Sequence, residues 1–209
     1  MKKLLHIVAT PRGSESRTLR VTDAFLGRFK ARYPDCSIDE LNLFAEKLPE
    51  LTAKRVDGKY VLLSGEDLSG EFVGAWKEIV DHIERFMSSD AYLLSLPMWN
   101  FSIPYALKHY IDIIVQPKYL FRYTHKGPEG LVKGKKMLIL TSRGGDYSQG
   151  SPFRAYDMQE PYLRGIFGFV GLTDVTFLHA QPMDALGPQV MEEKIGLAQT
   201  EAIKLADKF

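Results

Sequence analysis

Three short stretches of this chain hold residue types whose spacing could do chemistry. The first is Thr10-Pro11-Arg12-Gly13-Ser14-Glu15-Ser16-Arg17-Thr18, with four hydroxyls and two arginines. It lies between an apolar run and a helical pattern. A helix start carries free N–H groups and a partial positive charge, so it receives a phosphate well. Each charge-assisted hydrogen bond made there is worth roughly 1.5–3 kcal/mol. The second stretch is Pro97-Met98-Trp99-Asn100-Phe101-Ser102-Ile103-Pro104. Its aromatic and thioether side chains, one amide and two motion-limiting prolines suit a planar heteroaromatic ligand with polar edges. The third is Thr141-Ser142-Arg143-Gly144-Gly145-Asp146, where adjacent glycines let backbone approach a ligand with no Cβ in the way. Read singly, the first is equally well a Pro-Gly turn with a Ser cap, and the third a flexible loop.

The elements that must position these stretches alternate along the chain. Leu4–Ala9, Asp90–Leu96, Lys136–Thr141 and Asp174–Ala180 read as buried strands, and Ser37–Leu43 as a more exposed one. Arg17–Tyr33 is a helix pattern with Val21, Phe25 and Phe29 at i, i+4 spacing. Glu71–Ser88, Pro104–Val115, Met158–Val170 and Pro188–Asp207 also carry helical periodicity, with Ser102 as the expected cap of the second of these. Residues 46–69 have weak periodicity that leaves room for a short helix without placing it. Tyr119–Lys135, with Gly127-Pro128 and Gly130, reads as a hairpin inserted between helix and strand.

Strands alternating with helices imply an α/β fold with a parallel sheet. Five strands fit the flavodoxin-like, doubly wound order 2-1-3-4-5, with helices on both faces. In that order strands one, three and four are neighbours, so the three stretches converge on one crevice at the carboxyl edge. A phosphate at one end and a flat ring at the other describe flavin mononucleotide (FMN). With no repeat or linker, residues 1–209 read as one FMN-binding domain.

Bulk composition narrows the partners. Hydrophobic residues make up 45% and charged residues 25%, ordinary for a globular chain. Lysine and arginine total 27 against 26 acids, a net charge of +1 that favours neither nucleic acid nor a membrane surface. Cys36 is the single cysteine, which fits a reducing compartment and reads as a small residue at a strand entrance. The apolar run after Met1-Lys2-Lys3 is too short for a signal-peptide core. No stretch reaches the ~18 apolar residues of a membrane span, so the expected location is the cytoplasm.

Other chemistry fails on spacing. Gly130-Leu131-Val132-Lys133-Gly134-Lys135 has one residue too few for a Walker loop and precedes a strand. No G-x-G-x-x-G follows the first strand, and there is no G-x-S-x-G elbow. His6, His82, His109, His125 and His179 have no metal-ligand spacing, so no metal site is expected. Asp112 reads as a solvated or capping acid.

The motifs together resemble the FMN-dependent NADH-azoreductases, or NADH:quinone reductases, of the flavodoxin-like superfamily. The resemblance spans essentially the whole chain. Beyond the second and third stretches it is carried by Phe121-Arg122-Tyr123-Thr124, Gly127-Pro128-Glu129-Gly130-Leu131 and Gly171-Leu172-Thr173-Asp174-Val175. It implies that Thr10, Arg12, Ser16, Arg17 and Thr18 hold the flavin phosphate. It implies likewise that Pro97, Met98, Trp99, Asn100 and Phe101, with Ser142, Arg143, Gly144 and Gly145, hold the isoalloxazine. Trp99 stands where many members have Tyr, and with Phe121, on a hairpin similar to the segment that overhangs the partner's flavin, it is the expected substrate-pocket residue. The implied activity is ping-pong hydride transfer from NADH through flavin N5 to quinones or azo compounds, in a homodimer. An azo bond needs four electrons, hence two cycles. No side chain is expected to act as a catalytic acid, the chemistry being the flavin's. Three readings stand beside this one. A flavodoxin-type electron carrier would be strongly acidic, unlike this chain, a flavin-binding redox sensor or regulator would not turn over NADH, and a flavin or chromate reductase would share the fold.

Overall fold

The computed structural model describes all 209 residues. Five parallel strands form one sheet in the order β2-β1-β3-β6-β7. They are β1 (Lys3–Val8), β2 (Ser37–Asn42), β3 (Ala91–Pro97), β6 (Lys136–Ser142) and β7 (Asp174–Ala180). Because β4 and β5 form a separate hairpin, this is the expected 2-1-3-4-5 order. β1, β3 and β6 are apolar on both sides because helices cover both faces of the sheet. Leu5, Ile7, Tyr92, Leu94, Leu96 and Ile139 point to the larger core. That core is completed by α3 (Glu71–Met87), α4 (Tyr105–Ile114) and α5 (Gln159–Phe169). Leu4, Leu93, Leu138 and Leu140 point to the other face, against α1 (Arg17–Arg32) and α6 (Pro188–Lys208). The period of two along each strand thus divides one apolar run between two cores. No helix is long and apolar enough to cross a membrane.

The weakly periodic 46–69 region contains α2 (Ala53–Leu63), started by Thr52, whose side chain accepts from the Arg55 N–H. Trp76 of α3 holds it by donating Nε1–H to the Arg55 carbonyl at 3.0 Å. The inserted hairpin is β4 (Phe121–Thr124) paired antiparallel with β5 (Gly127–Gly130). The expected Ser102 cap is corrected. Pro104 precedes α4, no side chain caps it, and the backbone of Ser102 is bonded in both directions to Trp99.

Candidate functional site

The carboxyl ends of β1, β3 and β6 lie side by side, and their loops enclose a crevice of about 180 Å³. Its walls are Thr10, Arg12, Ser16 and Arg17 after β1, Pro97, Met98 and Trp99 after β3, and Ser142, Arg143 and Gly144 after β6. Met183 and Asp184, after β7, complete it. All three stretches singled out in the sequence therefore meet in one place.

At one end α1 begins. Ser16 is its N-cap, with Oγ accepting from the Leu19 N–H at 3.3 Å. By helix geometry the N–H groups of Arg17 and Thr18 keep no intrahelical partner and remain available to an anion. The Thr18 hydroxyl is buried, with Oγ1 2.7 Å from Ser142 Oγ, and this bond ties α1 to β6.

At the other end the chain makes a tight reverse turn. Trp99 N–H donates to the Ser102 carbonyl at 3.0 Å and Ser102 N–H to the Trp99 carbonyl at 2.9 Å. The two corner residues, Asn100 and Phe101, have φ of 46° and 67°. Two left-handed corner residues are the mark of a type I′ turn. Asn tolerates that conformation, whereas Phe carries a cost of about 1–2 kcal/mol. The Met158 N–H, donated to the Phe101 carbonyl at 3.0 Å, and stacking of Phe101 on Tyr156 at 5.3 Å hold the turn. Strain retained in this way is commonest at working sites. Across the crevice, a Cβ on Gly144 would come within 2.8 Å of Asp184 Oδ2. The Gly144 carbonyl also accepts from the N–H groups of Met183 and Asp184, at 3.1 and 3.0 Å. Gly145 sits against Tyr147.

Arg143 lines the crevice, but its guanidinium turns away into the protein, where Nη1 donates to Asp157 Oδ2 and Nε to Gln159 Oε1, each at 3.0 Å. Its Nη2 is buried without a partner, and burial lowers its pKa. Arg143 therefore builds the loop that the crevice uses. Trp99 stands on the rim shared with a neighbouring groove of about 750 Å³, lined by Tyr105, Lys108, His109, Asp112 and Tyr162 among others. Asp112 pairs there with Lys108 at 2.7 Å. Phe121, expected at a substrate pocket, lines neither cavity in this chain. It is 5% exposed and packs on Phe169 at 4.7 Å, while Tyr123 of the same strand is 63% exposed. The two rings share one face of β4, 5.7 Å apart, and only Phe121, at the inner end of the strand, reaches Phe169.

Sequence reasoning missed Met183 and Asp184. Asp184 Oδ1 lies 2.5 Å from Arg17 Nη1, an ion pair across the crevice. No motif signals it, although the strand order puts the end of β7 beside that of β6. Two histidines, His6 buried and His179 half-buried, have structural partners. His6 Nε2 is 3.0 Å from Ser95 Oγ, and burial lowers its pKa to about 4, with Lys30 adding repulsion. Glu40, 3.6 Å from the other ring nitrogen, is largely solvated, so its attraction is screened and burial dominates. His179 bridges Thr141 and Glu160, both at 2.8 Å, and burial lowers its pKa. Burial pushes the Glu160 carboxyl up, but hydrogen bonds from His179 and Arg164 outweigh it and hold the group below the usual range. No group of three or more His, Cys, Asp or Glu residues is placed to hold a metal ion.

Free helix N–H groups flanked by Arg12 and Arg17 suit a phosphate. The aromatic turn and the bare backbone of Gly144 suit the edge and face of a flat ring. A family model for the flavodoxin-like fold matches residues 2–205. An FMN-dependent NADH:quinone oxidoreductase of Nitratidesulfovibrio vulgaris (strain DP4) is 37% identical over 209 residues, all of both chains. One from Rhizobium meliloti (strain 1021) is 37% identical, covering 98% of this chain and 99% of its own. An azoreductase structure from Bacillus anthracis str. Sterne matches with a TM-score of 0.90 at 31% identity, covering all of both chains. An FMN-dependent NADH-azoreductase of Bacillus anthracis str. Ames Ancestor, in complex with FMN, matches at 0.85 and 28% identity, over 99% of this chain and all of that one.

Proposed function

The chain belongs to the flavodoxin-like fold family and, within it, to the FMN-dependent NADH:quinone oxidoreductases, and from that membership we propose that its crevice binds FMN and works by a ping-pong cycle. The protein is an oxidoreductase. The observation that carries the proposal is the meeting of the α1 N-terminus, Trp99 at the start of the left-handed Asn100–Phe101 turn and the Gly144 backbone in one crevice, with Asn100 on the adjoining groove. Bound FMN supplies the redox chemistry, taking hydride at N5 from NADH and passing the electron pair to a quinone or azo acceptor. Arg12, Arg17, Thr10, Ser16 and the free N–H groups of α1 hold the phosphate. Pro97, Met98, Trp99, Phe101, Ser142, Gly144 and Gly145 hold the ring. Asn100 offers its amide to a polar edge, where a donor stabilises the charge that develops on reduction. Trp99, on the rim of the larger groove, sets the shape through which the donor and then the acceptor enter. Solvent supplies the protons.

We further propose that residues 1–209 act as one unit in a cytoplasmic homodimer. The solvent-facing rings of Tyr105, Tyr123, Phe153 and Tyr156 support pairing. The free Cys36 accords with a reducing compartment. The test is the visible spectrum of the purified protein, NADH oxidation with a benzoquinone and with an azo dye, and molar mass by light scattering. A yellow dimer turning over both acceptors is expected. A protein that binds no FMN contradicts the reading.

A further inference from the structure

We propose that Gln159 is a positioning residue, locking the two ring-facing loops to each other and so setting affinity for the ring; this rests on the flavin reading above. Gln159 opens α5, is 0% exposed and does not line the crevice. Its Oε1 accepts from Arg143 Nε at 3.0 Å, on the loop after β6. Its Nε2 donates to the Pro97 carbonyl at 3.0 Å and, more weakly, to the Ser102 carbonyl at 3.5 Å, on the loop after β3. The two carbonyls bracket the left-handed Asn100–Phe101 turn. The residue before Gln159, Met158, donates its N–H to the Phe101 carbonyl inside that turn.

Asp157 fixes the start of α5 and the arginine that the amide meets. Its Oδ1 accepts the backbone N–H of Gln159 at 3.0 Å, and its Oδ2 accepts from Arg143 Nη1 and Arg154 Nη1, both at 3.0 Å. The sheet does not need this node to align the strands. Pro97 and Ser142 are already in register, and the Met98 N–H reaches the Ser142 carbonyl at 2.9 Å. A buried amide must be satisfied at both ends, and this one spends both on the loops that face the ring. A strained turn persists only where its surroundings over-determine it. Gln159 supplies the brackets on either side.

Gln159→Glu tests this. As a carboxylate it still accepts from Arg143 but donates nothing to Pro97. Gln159→Met, similar in volume and uncharged, is the second variant should the first fold poorly. FMN and riboflavin affinities, the visible spectrum of the saturated protein and unfolding of the flavin-free protein are measured beside wild type and Arg17→Ala. Riboflavin lacks the phosphate. The Gln159 variants are expected to weaken both ligands by the same factor, about tenfold, and to shift the ring's absorption bands at saturation. Arg17→Ala is expected to weaken FMN more than riboflavin. Folded variants that bind both ligands as wild type does, with unchanged bands, would overturn the inference while leaving the flavin reading intact. So would a loss confined to FMN. A wild-type protein that binds neither flavin overturns both.

Discussion

At the scale of residues, the site is decided by which way side chains point, and that is where the sequence was least informative. Thr10, Arg12, Ser16, Arg17, Pro97, Met98, Trp99, Ser142 and Gly144 were legible as residues of a shared crevice, because hydroxyls, cations, aromatics and glycines cluster at strand ends. The side-chain orientations of Thr18, Arg143 and Phe121 were not. Each has suitable chemistry, but Thr18 Oγ1 bonds Ser142, the Arg143 guanidinium bonds Asp157, and Phe121 packs on Phe169. Such orientations come from long-range packing that no local pattern encodes. Two predictions belong here. Asn100→Ala removes the single amide of the aromatic turn, and FMN affinity or the rate of flavin reduction should fall about tenfold, with a loss of stability of about 1–2 kcal/mol because Ala, unlike Asn, is strained at a φ of 46°. Unaltered binding and turnover would remove Asn100 from the site. Asp184→Asn should act in the opposite sense. Its carboxylate occupies Arg17 beside the phosphate end, and it is 64% exposed, so screening keeps the effect small. FMN should bind up to about fivefold tighter, as for an exposed pair worth 0.2–1 kcal/mol. Weaker binding would mean that Asp184 supports the ligand instead.

At the scale of elements, the strands and most helices were readable because β1, β3 and β6 are short apolar runs while α1, α3 and α4 carry one apolar stripe. The α2 helix was not readable. It buries little beyond Gly58 and Leu62, so its periodicity is faint, and its place depends on Trp76 from a different helix. The hairpin was legible from Gly127-Pro128 and Gly130, although those residues form β5 and the turn itself is His125-Lys126. Its anchorage was not legible. Leu131 N–H bonds the Leu120 carbonyl and Val132 N–H the Val170 carbonyl, and Gly130 lies against the Val170–Gly171 backbone. A Cβ at Gly130 would overlap that backbone. Gly130→Ala should therefore destabilise the protein by about 1–3 kcal/mol, the usual cost of overpacking, read in denaturant unfolding. An unchanged midpoint would show that the hairpin can shift away at no cost.

At the scale of the whole molecule, pH couples the core to stability. His6 sits at the centre of the sheet with its folded pKa lowered to about 4 from an unfolded value of 6.5. Above pH 6.5 the ring is neutral in both states and costs nothing. As pH falls from 6.5 towards 4 only the unfolded chain takes up the proton, so stability drops, by about 3 kcal/mol in all. His6→Gln should flatten that acid limb in unfolding measured at pH 7 and pH 5. An equally steep limb in the variant would assign the loss to other groups. The same sheet brings three loops, separated by scores of residues in sequence, to one edge, where we propose that they form a single flavin site serving donor and acceptor in turn. Initial rates of NADH oxidation by the FMN-loaded protein, over a grid of NADH and benzoquinone concentrations, test it most directly. Turnover with parallel double-reciprocal lines is expected. No turnover, or lines that intersect because both substrates must be bound together, would contradict it.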